Sequence, residues 1–199
     1  MTAPPFDSLG QLHDHLLSLA SETVFPPGRR VQLSVASFAI VRDHHLAIAV
    51  LLDAGLCASA FALMRALFEA AVKGMWFSYC ASDSKLEAYA SRDELPQVSE
   101  LVEDLLETQL PPLLAVNFRR IKKSYWKVMS SFAHAGHAQV RHWLAPTGVQ
   151  AVYTPAEIEE LVTFTAFVAV AAALERERLG VKGGSMARIE GLLPAASPE

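Results

Sequence analysis

Apolar residues along the chain recur at three- and four-residue spacing, not at every second position, and short polar or Pro/Gly-containing breaks interrupt them. The spacing predicts helices, and Ala, Leu and Glu, all good helix formers, are plentiful in it. A first helix is expected over about residues 8–22, with Leu9, Leu12, Leu16 and Leu19 in register and Pro26-Pro27 closing it. A second is expected over about 30–53 and a third over about 57–81, separated at Gly55. Asp83 or Ser84 would cap a short helix through Tyr89. A fourth main helix would start near Pro96 and end before Pro111-Pro112. A fifth would run from about 113 through 133, bend at Gly136 and resume to Trp143. Thr154-Pro155-Ala156-Glu157 reads as a capping box with proline at the first helical position, opening a last helix that ends near Leu179 with Gly180 as its stop. No strand is expected.

The second and third helices look apolar on nearly every side, which predicts that other helices surround them. The short link at Gly55 makes them antiparallel neighbours. The expected architecture is all-α: a single-domain helical bundle over residues 1–180 with about six main helices and a central apolar hairpin. A loosely held C-terminal tail would follow over 181–199. A length of 199 residues suits one domain with a real core. Hydrophobic residues at 52% against 19% charged exclude a disordered chain. Two cysteines, Cys57 and Cys80, exclude a disulfide-stapled scaffold and read as buried free thiols of a reduced, cytoplasmic setting. The opening MTAPPFDSLG lacks the basic-then-apolar order of an export signal.

Two runs invite a membrane reading. The first, residues 46–72, is broken by Asp53, Arg65 and Glu69, and the second, 161–174, is too short to span. Both are expected to be buried helices, with no membrane insertion. The mean hydropathy of +0.25 then points to apolar surface covered in a homodimer.

Against this background a few polar residues stand out. Arg65 and Glu69 lie four apart and share a helix face, with Lys73 near it and Trp76 along the line of Arg65. An Arg and a Glu in an apolar setting should be paired. The pair reads either as a register lock or as an anion-binding Arg oriented by Glu69. Asp43-His44-His45 places two imidazoles about 100° apart, so at most one easily faces the Arg65 helix. In the segment from Ser130 and Ser131 to His142, a continuous helix would put His134, His137 and Arg141 on one face. Histidines at i and i+3 allow a metal if a third ligand joins them, but the spacing is a weak signal, and no cofactor is expected. Acid–base work suits His134 as well as a metal does, and a plain structural histidine is the leading reading.

The charge map is uneven. Between Glu107 and Glu157 there are 49 residues with no acid and six cations: Arg119, Arg120, Lys122, Lys123, Lys127 and Arg141. The remainder therefore carries −10 of a net −4 chain. Tyr125, Trp126 and Trp143 interleave with the cations as stacking platforms would, so a phosphate-containing ligand or RNA near residues 119–142 is compatible. The acidic total argues against broad duplex binding. Walker, dinucleotide and nucleophile-elbow motifs are missing, which disfavours P-loop ATPases, dinucleotide oxidoreductases and α/β hydrolases.

Three blocks together carry a resemblance: DHHLAIAVLLDAGLCASAFALMRALFEAAVKGMWFSYCASD, KSYWKVMSSFAHAGHAQVRHW and the closing apolar helix. Over about residues 30–175 the chain resembles a family of small bacterial helical proteins of unknown function. The resemblance implies that His44, His45, Arg65, Glu69, Trp76, His134 and Gly136 are characteristic positions. More distantly the chain is similar to the HEPN superfamily, helical bundles that include dimeric ribonucleases of toxin–antitoxin and phage-defence systems. Those enzymes place an Arg four to six residues before a His, whereas here Arg141 follows His134 and His137. Chemistry of that kind would need Arg65 or Arg141 to stabilise the phosphate and His134 to handle the proton, across helices. The sequence thus predicts an anion, nucleotide or RNA site with Arg65, Glu69 and His134 as its catalytic centre. His44, His45, Trp76, Ser131, His137 and Arg141 are the expected ligand-binding residues. Its rivals are a non-catalytic interaction or immunity module, and a metal-dependent hydrolase.

Overall fold

The longest apolar segments make the two helices at the centre of the molecule. In the computed structural model, which describes residues 8–20, 23–180 and 192, helix α1 spans Leu9–Ala20, α2 Arg29–Asp53 and α3 Cys57–Tyr79. Between α2 and α3 the Leu56 amide donates to the Leu51 carbonyl at 2.8 Å and the Gly55 amide to Leu52 at 3.0 Å. Gly55 takes φ +72, the left-handed residue that this helix ending requires. The hairpin then closes tightly: a Cβ on Gly74 of α3 would lie 2.6 Å from Cε1 of Phe38 on α2. Phe68, Val72, Met75, Trp76 and Phe77 are fully sealed, each stabilising by ~1.5–3 kcal/mol if placed as a typical large apolar side chain.

Helix α4 (Asp83–Arg92) begins at Ser82, whose hydroxyl accepts the Lys85 amide, one residue earlier than expected. Helix α5 (Val98–Leu106) packs on α3. Helix α9 (Pro155–Arg178) has the expected capping box: the Thr154 hydroxyl accepts the Glu157 amide at 3.2 Å, and Glu157 Oε2 accepts the Thr154 amide at 2.8 Å. Such a cap is worth ~1 kcal/mol. The far end of α9 carries two buried acids. Glu175 accepts from Arg178 (2.8 Å) and Tyr79 (3.1 Å), and Glu177 accepts from Arg176 and Thr23. Burial, then the Glu175 charge, raises the Tyr79 hydroxyl above its ordinary range. Gly180 ends the helix where any side chain would collide with Thr23.

The all-α expectation holds, with three local departures. The expected fifth helix is broken into α6 (Pro112–Arg120), a π-helical turn (Ile121–Tyr125), α7 (Trp126–Ala133) and α8 (His137–Arg141). α7 stops because Ala135 turns to φ +49 and the Gly136 amide folds back onto the Ser131 carbonyl at 2.6 Å. A two-residue ribbon follows, β1 (Leu144–Ala145) antiparallel to β2 (Gly148–Val149), with Leu144 opposite Val149. Nor is α2 enclosed: Ile40, Leu46 and Val50 are 49%, 40% and 58% exposed. By length and composition α2 is the one helix among the described residues that could cross a membrane, and it lies upstream of most of the first run flagged from sequence. The expected tail falls outside the described residues, apart from Leu192.

Candidate functional site

Arg65 and Glu69 occupy one face of α3, and the register brings that face against the C-terminal half of α7. Arg65 Nε donates to Glu69 Oε1 at 2.7 Å. Its Nη1 donates to Ser130 Oγ at 2.9 Å and lies 3.3 Å from Nε2 of His134. Ser130 passes its own proton to the Trp126 carbonyl at 2.8 Å, leaving its lone pairs turned to the arginine. The Arg65 guanidinium lies 4.8 Å from the Trp126 ring centroid. Guanidinium and carboxylate of α3 therefore meet a hydroxyl and an imidazole that lie 65 and 69 residues beyond Arg65 in the chain.

The cluster is open to solvent. The side chains of Arg65 and Glu69 are 26% and 24% exposed, and His134 is exposed. Arg65 Nη2 carries no hydrogen bond among the described residues. An arginine donates only, so a hydrogen bond between the two requires His134 Nε2 to present its lone pair to Nη1. An ion pair this exposed contributes only ~0–1 kcal/mol to stability. Its effect is to fix one rotamer of a long side chain beforehand.

The other expected ligand-binding residues lie elsewhere. His45 is sealed at 1% exposure and stacks on His13 of α1, rings 5.8 Å apart and 12° from parallel. Among the described residues neither His45 Nε2 nor His13 Nδ1 has a hydrogen-bond partner. Burial, then the His13 ring, lowers His45 to about 4. Burial likewise lowers His13, with Arg42 acting in the same direction and Asp14 and Asp43 opposing. The neighbouring His44 is half-buried, and no described hydrogen bond ties it to Arg65. Trp76 is fully buried and donates its indole N–H to Asp104 at 2.8 Å, so it belongs to the core. Ser131 accepts the Ala138 amide at 2.9 Å and pins the start of α8. His137 and Arg141 are exposed on α8, and the break at 134–136 removes them from the face that carries His134. No group of three or more His, Cys, Asp or Glu able to hold a metal occurs among the described residues. The metal-site reading of His134, His137 and an α2 histidine thus lacks its geometry.

Sequence reasoning passed over two groups. Ser130 lies one turn before His134, and that spacing was the available signal. His142 aims Nδ1 at the Ala138 carbonyl (2.6 Å) and Nε2 at Glu157 (2.9 Å), and stacks on Tyr153 at 4.6 Å. The Glu157 carboxyl is held down to about 2 by the Thr154 backbone first and by His142 next. The six-cation stretch is partly neutralised by acids from outside it. Lys122 pairs with Glu103, and Arg120 approaches the Tyr125 hydroxyl that donates to Glu160. Arg119, Lys123, Lys127 and Arg141 remain exposed. Burial first, then Asp104, pushes the Cys80 thiol up to about 11, which makes it a poor nucleophile.

Among known proteins, a family model described as a family of unknown function (DUF6988) matches residues 38–195, most of the chain and all of the Arg65 cluster. No curated protein and no solved structure matches. The chain belongs to the DUF6988 family.

Proposed function

We propose that this DUF6988 member binds a phosphate-bearing ligand, a nucleotide or a single RNA strand, at the Arg65–His134 cluster. The observation carrying the reading is a guanidinium already fixed by Glu69 and Ser130 whose Nη2 edge is left free at a solvent-reachable face. A preset planar donor fork suits a phosphate and loses little rotamer freedom on binding. Trp126 flanks it as a stacking surface. The exposed Arg119, Lys123, Lys127 and Arg141 add an attractive field.

The reading extends to ribonuclease-like chemistry of the HEPN kind, in a toxin or phage-defence role, on the strength of the distant resemblance. A ribose 2′-hydroxyl would attack the adjacent phosphorus and expel the 5′-oxygen, giving a 2′,3′-cyclic phosphate. His134 Nε2 would take the 2′ proton and solvent water would protonate the departing 5′-oxygen, which leaves as a hydroxyl; the step requires Arg65 Nη1 to leave the imidazole and turn to the phosphoryl oxygens. The exposed Ile40, Leu46 and Val50 of α2 support a homodimer in this reading, and two unpaired cysteines support a cytoplasmic one.

A second reading has its own observation. Arg65 ties α3 to α7 through both Ser130 and His134, as a structural clamp in an interaction or immunity module would. Fluorescence anisotropy of a labelled short oligoribonucleotide separates the two, with thermal melting and product gels run in parallel. Wild type should bind in a salt-dependent way, and Arg65→Lys should bind about tenfold more weakly with little change in melting. Failure of wild type to bind, or loss of fold in Arg65→Lys without any binding to lose, favours the clamp.

A further inference from the structure

A second site lies where the helical register slips. The π-helical turn Ile121–Tyr125 swings Tyr125 across to α9, where its ring stacks on Phe164 at 6.1 Å and 30° and its hydroxyl donates to Glu160 at 2.5 Å. Such turns are rare overall and are frequent at functional sites. Beside it opens a cleft of about 300 Å³, the lower end of the usual range for small-molecule pockets. Its floor is apolar, made by Ile121, Phe164 and Phe167. Its rim carries Arg120, Glu159 and Glu160.

We propose that this cleft between α6, the π-helical turn and α9 binds a small amine with an aromatic or branched apolar body. The sign of the ligand follows from the rim. Two carboxylates face one guanidinium, and that guanidinium is already turned toward the Tyr125 hydroxyl and its Glu160 partner. Glu159 is exposed and has no partner among the described residues, so it is the carboxylate left to receive an ammonium. The ring faces of Tyr125 and Phe164 carry negative charge density and favour a cation over an anion. The apolar floor takes the body of the ligand. This site is independent of the Arg65 cluster, although Tyr125 and Trp126, adjacent in sequence, each flank one of the two.

The test is calorimetric or ligand-observed NMR titration of the full chain with phenethylamine, and with 3-phenylpropionate as the anion of similar shape. The amine should saturate with Kd on the order of 1 mM or tighter, as suits so small a molecule, and the acid should not bind in the same range. Glu159→Gln, at an exposed position, should weaken the amine by about fivefold. Thr163→Trp should fill the cleft and abolish binding without lowering the melting temperature. Arg65→Lys should leave amine binding unchanged, which separates this site from the other. No saturable amine binding, equal binding of the acid, or undiminished binding to Glu159→Gln overturns the proposal. If Thr163→Trp does not fold, the Glu159→Gln comparison and the acid control still decide.

Discussion

Two pairs of polar groups sit within this apolar bundle and have opposite circumstances. On the α3–α7 face, Arg65 and His134 are reached by solvent, and the guanidinium is satisfied on two edges and free on the third. On the α1–α2 face, His13 and His45 are sealed against each other, each with a ring nitrogen that finds no hydrogen-bond partner among the described residues. A buried polar atom without a partner costs ~1–3 kcal/mol. The second pair therefore subtracts from stability and borders only a small pocket of about 60 Å³, whereas the first is nearly neutral for stability and exposes a usable donor. The contrast shows that a histidine in an apolar helix becomes a candidate for chemistry only when its neighbours and solvent both reach it.

The comparison can be broken at several points. Trp76 was grouped with the open site on sequence grounds, and the structure puts it with the sealed core. Trp76→Ala should cost ~3–5 kcal/mol in urea unfolding, the largest effect expected. If it costs little and instead removes ligand binding, the assignment is wrong. The next largest effect concerns acid. Both folded histidines of the stack are held below the ordinary value, so between pH 6.5 and about 4 the unfolded chain binds more protons than the folded one. Stability is therefore full above pH 6.5 and falls as pH drops toward 4, by roughly 3 kcal/mol from His45 alone. Unfolding midpoints measured across that window should flatten in His45→Leu and not in His134→Ala. Glu157 acts lower: its depressed carboxyl gives stability that is lost as pH falls from about 4.5 through about 2.

Smaller changes sharpen the open side. A Cβ on Gly136 would lie 2.6 Å from Ser131 Oγ and 3.0 Å from the Ser131 carbonyl. Gly136→Ala should cost ~1–3 kcal/mol and displace His134, visible as lost ligand affinity together with a lower melting temperature. At the small end, Arg141→Ala and Lys127→Ala should change stability by no more than ~0.5 kcal/mol. They should still reduce the salt dependence of ligand binding, because exposed cations act through their field. A stability change larger than that at either position would mean the basic stretch is part of the scaffold.

Most of the helical framework was legible in the sequence because its signals are local. The Thr154–Glu157 box and the Gly55 turn fix their ends through groups within five residues, and both were found as expected. The interruption near Gly136 was legible as a bend, but its sharpness was not: it depends on Ala135, an unlikely residue for positive φ, and on a close approach only Gly136 permits. The π turn left no mark in the apolar spacing either, since it slips the register without changing residue type. Pairing of Arg65 with Glu69 followed from four-residue spacing, but the arrival of Ser130 beside them depends on how α3 and α7 cross. The inward turn of His45 could be narrowed to one of two residues, and only α1, supplying His13, decided which.

The most direct test of the central claim is a histidine-selective ¹⁵N NMR titration of the full chain with a short oligoribonucleotide. The account predicts that the His134 imidazole signals move and saturate with ligand while those of His13 and His45 stay in place. His134 signals unchanged at saturating oligonucleotide, or a response at the His13–His45 stack instead, would contradict it.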